Sequence, residues 1–332
     1  MLDGERGVHR LGHDGLTCLR VIPVPLPGLR ALGIIVVDID PVIHLGPLAI
    51  HWYGVMYAIA FYVAYRFAAV PLMERAGVAR DTVSKITVWT IVVGLIGGRL
   101  YYVLQQPDLF THYLPNPIHI IAFWEGGMAF FGAIIAGFLT LTICAWRYGL
   151  NPWLALDGGA AFAVVGQPIG RIGNLINGDI LGSASTLPWA TAYANPGAVL
   201  QAGFQRCTSA HCVAYQPAAA YEALATIAIG LLLLVLYRRR VALGVIAITY
   251  VAAYSITQLV VFTFRASEPA VLLGLRQAQW TSIGMLLIGA PGLYLLWRLT
   301  KASIVGRTHV TVSEAEASLE KPRTTESPTQ RR

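Results

Sequence analysis

Charge is scarce in this chain. Only 12% of its 332 residues are Asp, Glu, Lys or Arg, against 56% hydrophobic residues and a mean hydropathy of +0.60. A soluble domain carries about twice that share of charge. A water-soluble globular reading is therefore excluded, and a polytopic membrane protein is indicated. Cysteine is scarce too, with four residues, which excludes a disulfide-dense secreted scaffold. There is no Ser-His-Asp arrangement, HExxH, CxxC pair or phosphate loop, so the usual hydrolase, zinc-peptidase and nucleotide-binding signatures are absent. No cofactor and no metal are expected. The internal repeat of many transporter folds is also missing. The net charge is +7, but much of the basic charge sits in short loops between apolar runs. That pattern reports membrane topology, so no nucleic-acid partner is expected.

What the chain does have is a set of seven apolar segments, at about 47–72, 86–105, 118–146, 154–178, 217–237, 243–264 and 278–298. Each is long enough to cross ~30 Å of hydrocarbon. The expected fold is an all-α polytopic membrane protein of about seven transmembrane helices. Arg75, Arg80 and Lys85 follow the first segment, Arg147 the third, Arg238 to Arg240 the fifth, and Arg298 and Lys301 the seventh. The loops at 106–117 and 183–216 carry only Arg206 between them. By the positive-inside rule the N-terminus lies outside and the C-terminus in the cytoplasm. Residues 1–40 form an N-terminal extension with no spanning run or signal-peptide cleavage site; a start assigned too early is the expectation there. Residues 41–300 make the membrane domain, with a small outer-side head at 183–216, and residues 301–332 read as a disordered cytoplasmic tail. Within the head, Cys207 and Cys212 lie five apart with His211 beside them; a disulfide is favoured over a metal site.

The most informative stretch runs from Gly170 to Gly182: Gly-Arg-Ile-Gly-Asn-Leu-Ile-Asn-Gly-Asp-Ile-Leu-Gly. It places Arg171, Asn174, Asn177 and Asp179 at the end of a segment otherwise fit for lipid. Ionisable groups in such a place mark a functional site by default. Helical spacing puts Gln167, Arg171 and Asn174 on one face. At ~1.5 Å rise per residue, Tyr53, Arg99, Glu125, Arg171, Glu222 and Gln258 all fall ~9 Å below the outer ends of their segments. Six helices thus contribute to one polar layer. Buried arginines in a lipid-facing protein suggest a phosphate, because guanidinium offers a rigid fork of donors and keeps its charge. The head groups of the outer leaflet lie at or just above that depth.

Taken together, these residues resemble the prolipoprotein diacylglyceryl transferase family. The resemblance runs from about Asp40 to Trp297 and comes in the family's order. It rests on Asp40-Pro41, Gly46-Pro47 and His51-Trp52-Tyr53-Gly54 with Met56-Tyr57, then on Gly97-Gly98-Arg99-Leu100 and on Trp124-Glu125-Gly126-Gly127-Met128. Gly170 to Gly178 matches the family signature, followed by Pro217 with Tyr221-Glu222 and by Gln277 to Ile283. The resemblance implies a multi-pass enzyme of the bacterial inner (plasma) membrane, with two substrates, phosphatidylglycerol and a preprolipoprotein signal peptide bearing a lipobox cysteine. The diacylglyceryl group would move to the cysteine thiol, forming a thioether and releasing glycerol phosphate, the first step of lipoprotein maturation. On this reading Arg171, Asn174, Asp179 and Tyr53 are the candidate catalytic residues, and Arg171, Arg99, Asn177, Glu222 and Gln258 bind substrate.

The chain departs from the family at several polar positions. Phe131 stands where the family carries a histidine, Gln258 where it carries an arginine, and Phe262 where it carries a glutamate. Asp179 replaces the usual Glu, and Ala218 and Ala219 replace polar residues. Phenylalanine takes no proton and glutamine neutralises no phosphate. The alternative is therefore a catalytically impaired relative that binds anionic phospholipid or signal-peptide segments.

Overall fold

The structure is a computed structural model that describes residues 34–46, 48–122, 127–208, 211–266 and 270–299, with the side chains of Phe130 and Phe131 outside that description. In chain order the helices are α1 (Trp52–Arg75), α2 (Arg80–Leu104), α3 (Ile118–Ile121), α4 (Phe130–Arg147), α5 (Pro152–Asn177), α6 (Ala218–Arg238), α7 (Val245–Phe264) and α8 (Gln277–Leu299). Among the described residues, α1, α2, α6, α7 and α8 are long and apolar enough to cross a membrane. The apolar part of α4 is shorter, and α5 runs for 26 residues with Asp157 and Arg171 inside it. Large apolar side chains such as Trp89, Ile135, Leu224, Leu231 and Ile288 face outward, as lipid contact requires. This is the architecture of a multi-pass membrane protein.

Two prolines shape the bundle in the same way. Pro71 in α1 and Pro291 in α8 each lie two residues beyond a π-helical turn, at Tyr65–Ala69 and Met285–Gly289. A proline has no N–H and crowds the preceding turn, and the wider π turn makes room for it. Helix α5 lies in the middle, packed on α1, α4, α6 and α7. Asn151 caps it by accepting from the Trp153 amide at 2.9 Å, with Pro152 in the first turn, and Gly178 ends it in the left-handed conformation at φ 79°. Its first half is apolar apart from the buried Asp157. Leu154, Ala160 and Val164 pack with Val70, Met73, Val83, Ile86, Ile229, Leu233 and Ile246 in the main core. Gln167, Arg171, Asn174 and Asn177 fall in its second half. One helix therefore spans both the core and the site.

Three expectations change. The segment at 118–146 is not one helix: α3 is a single turn that stops at Ala122 (ψ 73°), and helix resumes at Phe130. The break has a partner, because the Arg99 guanidinium takes carbonyls at 119, 120 and 127 that a continuous helix would use itself. The first helix starts at Trp52 rather than near 47, since Leu48–His51 is a strand. The fold is mostly helical but not all-α. β1 (Ile35–Val37) pairs in parallel with β4 (Thr191–Tyr193), and β2 (Val42–Leu45) forms a hairpin with β3 (Leu48–His51). Strands of three or four residues are too short to leave a clear alternation in sequence.

Around β4, residues 179–217 fold into a small unit of their own. Tyr215 bridges Thr191 on the edge away from β1, and Val37, Leu181, Tyr193, Ala198 and Tyr215 form its core. Cys207 and Cys212 are joined in a disulfide, so the favoured reading of that pair holds. The Tyr193 hydroxyl donates to the Leu175 carbonyl at 2.9 Å, fastening the unit to the end of α5. Burial raises the Tyr193 phenol well above its ordinary value, so it stays a donor.

Candidate active site

The site forms where the polar half of α5 meets the start of α6 and the end of α7. Arg171 and Glu222 make an ion pair, with Arg171 20% exposed and Glu222 only 2% exposed at the side chain. The same oxygen of Glu222, Oε1, accepts from the Tyr254 hydroxyl and from Gln258 Nε2, both at 3.0 Å. On its other side Arg171 donates to Asn174 Oδ1 at 3.1 Å, and Asn174 Nδ2 donates to both oxygens of Asp179, at 3.2 and 3.3 Å. One chain of contacts thus runs from α7 through α6 and α5 to the loop after α5. Spacing explains each placement. Arg171 and Asn174 are three apart on α5, and Tyr254 and Gln258 are four apart on α7, so each pair shares a face.

Burying an ion pair costs more than the pair returns unless its remaining polar atoms are satisfied. Three donors on Oε1 stabilise Glu222, and Asn174 orients Arg171. A guanidinium has five N–H donors, so Arg171 has donors left over for an anion at the site. Two buried oxygens have no hydrogen-bond partner among the described residues: Glu222 Oε2 and Gln167 Oε1. An unpaired buried acceptor costs about 1–3 kcal/mol. Gln167 lies one turn below Arg171 on α5, so both orphans belong to the same polar region.

The other expected residues divide. Tyr53 packs on α5 beside the signature: a Cβ at Gly173 would lie 3.3 Å from Tyr53 Cα, and the Tyr53 and Tyr57 hydroxyls are 2.9 Å apart. Asn177 is half-buried at the end of α5, where its carbonyl accepts from the Val199 amide at 2.8 Å. It joins the helix to the β4 unit rather than to the Arg171 chain. Arg99 is 2% exposed and serves a different structure. Its Nε donates to Ile120 O at 3.0 Å, its two terminal nitrogens donate to Gly127 O and His119 O, and its guanidinium lies 5.6 Å from the Tyr102 ring centroid. Glu125 lies outside the described residues, as does the side chain of Phe131. Sequence reasoning missed Tyr254, although its four-residue spacing from Gln258 was a usable signal. It also left Gln167 without a role.

An apolar helix bundle with an arginine, two carboxylates and two amides joined inside it defines a multi-pass membrane protein with a charged site among its helices. The profile of the prolipoprotein diacylglyceryl transferase family matches residues 41–295, and the chain belongs to that family of transferases. Similar proteins named phosphatidylglycerol–prolipoprotein diacylglyceryl transferase include one from Brucella anthropi, 31% identical over 282 residues, covering 80% of this chain and 94% of the relative. One from Frankia casuarinae is 32% identical over 243 residues, covering 73% of this chain and 57% of the relative. One from Brucella canis is 30% identical over 281 residues, covering 80% and 93%.

Proposed function

We propose that this chain transfers the diacylglyceryl group of phosphatidylglycerol to the lipobox cysteine of a preprolipoprotein signal peptide. The thiol sulfur bonds to the glycerol carbon, the bond from that carbon to the phosphate oxygen breaks, and glycerol phosphate leaves. The observation that carries this reading is Arg171: a guanidinium oriented by Glu222 and Asn174, with spare donors, inside the region that matches the family profile. Arg171 binds the phosphate and stabilises charge on the leaving group. Asn174, Asp179 and Tyr53 align the head group beside it. Gln258 and Tyr254 hold Glu222, Asn177 ties the site to the β4 unit, and Arg99 shapes the 118–127 segment at its rim.

The membrane setting is read in the same spirit. Seven crossings, with α4 and α5 among them, place the N-terminus outside, the C-terminus in the cytoplasm of a bacterial plasma membrane and the 183–216 head on the outer side. What supports this is the run of Arg and Lys at the opposite helix ends. The test is transfer by the purified protein. Phosphatidylglycerol and a lipobox peptide are supplied, and the cysteine mass gain and glycerol phosphate release are followed. A diacylglyceryl peptide is the expected product. Lipid retention that depends on Arg171 but yields no product, beside an active relative, would make the chain a binding protein.

A further inference from the structure

The two oxygens of Glu222 have unlike surroundings. Oε1 is filled by Arg171, Tyr254 and Gln258, while Oε2 is buried with no partner among the described residues. A thiol has an ordinary pKa of ~8.5 and must shed its proton to attack carbon. No described histidine hydrogen-bonds to any member of the Arg171 network, and Phe131 supplies no proton acceptor from α4. Asp179, the other carboxylate, has both oxygens engaged by Asn174. Among the carboxylate oxygens of the network, Glu222 Oε2 is the one with no hydrogen-bond partner among the described residues.

We propose that Glu222 is the base that takes the proton of the lipobox thiol, and that phosphate binding prepares it by drawing Arg171 toward the lipid. The guanidinium contacts Oε1 of the carboxylate. When a phosphate competes for those donors, Oε1 keeps Tyr254 and Gln258. The position beside it that Arg171 vacated is where the thiol proton reaches the carboxylate, whose Oε2 has no partner among the described residues to balance its charge. The thiol then gives its proton to Glu222, and the sulfur electron pair forms the carbon–sulfur bond. The carbon–oxygen pair leaves on the phosphate. The released glycerol phosphate, now with two ionisable oxygens, carries the proton away and restores the carboxylate. Lipid must bind before peptide. The groups that face Glu222 are Arg171 from α5 and Tyr250, Tyr254 and Gln258 from α7, with Gln167 beyond Tyr250 and Tyr57 of α1 behind Arg171, while Thr226 on its own helix donates to the Glu222 backbone carbonyl. Of these only Arg171 carries a fixed charge.

This inference rests on the transferase reading, and the experiment separates the two. Transfer by wild type, Glu222→Gln and Glu222→Asp is measured from pH 6.5 to 9.5 with phosphatidylglycerol and a lipobox peptide. Retention of phosphatidylglycerol by each variant is measured in parallel. Loss of a general base costs ~10²–10⁴-fold. The Gln variant is expected to show that loss near neutrality and to recover as the pH passes the thiol range, since an ionised thiol needs no base. The Asp variant keeps the wild-type pH profile at a lower rate. A selenocysteine peptide, ionised at neutral pH, restores the Gln variant. A defect equal at every pH and on both peptides, or one matched by lost lipid retention, overturns the role of Glu222 while leaving the transferase standing. An inactive wild type beside an active relative overturns the transferase reading instead.

Discussion

Asp157 of α5 caps helix α7 from outside. Its Oδ2 accepts from the Gly244 amide at 2.7 Å and its Oδ1 from the Ala247 amide at 2.8 Å, all of it buried. The first turn of a helix leaves amides without partners, and a carboxylate there also meets the positive end of the helix dipole. The middle and second half of α7 carry Tyr254 and Gln258 to Glu222. One helix is thus anchored to α5 at its start and to the site near its finish. Asp157→Ala is expected to lower stability by about 2–4 kcal/mol, because two buried amides lose a charged acceptor. The melting temperature in detergent would show it, and Asp157→Asn should fall between the two.

The buried Arg99 and the half-buried Arg171 should separate on substitution. Arg171→Ala is expected to abolish phosphatidylglycerol retention, and Arg171→Lys to lower transfer by ~10²-fold, because an ammonium cannot reproduce the guanidinium fork. Arg99→Ala should retain lipid better and instead raise hydrogen exchange around residues 118–122 and 127–129, since it holds the carbonyls of His119, Ile120 and Gly127. Bound lipid by mass spectrometry and exchange by peptide mapping give the two readouts. Equal lipid loss in both variants would count against this division.

Gly182 sits where backbone crosses backbone. Its amide donates to the Gln216 carbonyl at 2.8 Å, and a Cβ there would lie 2.6 Å from the Phe264 carbonyl and 2.8 Å from Gln216 Cβ. The crossing ties the loop after α5 to the start of α6 and the end of α7. Gly182→Ala should push these apart and misalign Asp179, Glu222 and Gln258 together. A displacement of about 1 Å far from the chemistry is enough to cost ~10²-fold in rate. Transfer should drop steeply, with less effect on the melting temperature than Asp157→Ala.

The disulfide makes a local prediction. Cys207 also donates its amide to the Tyr193 carbonyl at 2.8 Å, so the bridge lies against β4. Replacing both cysteines by serine releases a short loop, worth about 2 kcal/mol on loop entropy. Limited proteolysis should cut faster within 183–216, while the transmembrane helices keep their protection. Unchanged cleavage would show that β1 pairing and the Tyr193–Tyr215 core suffice alone.

Much of the site was legible in the sequence because helices in a bilayer have a fixed rise. Arg171, Glu222 and Gln258 could be set at one depth by counting residues, and they do meet. Depth carries no information about azimuth, however. Arg99 was expected in the same layer but turns toward the carbonyls of His119, Ile120 and Gly127. Tyr254 was overlooked because a tyrosine in an apolar run reads as an interfacial anchor or core aromatic. The break after Ala122 was hidden because apolar residues continue through it.

The sequence by itself determined the membrane class, the positions of most of the apolar helices, the family and the signature around Arg171. These follow from composition, periodicity and local motifs, which need no knowledge of neighbours. Only the tertiary structure decided which polar groups pair. Arg171 chooses Glu222 from 51 residues away, and Asp157 caps a helix that begins nearly ninety residues later. Buried charge must find a partner wherever packing brings one near, and packing is a property of the whole bundle. It is this pairing that leaves Glu222 with one oxygen occupied and one open.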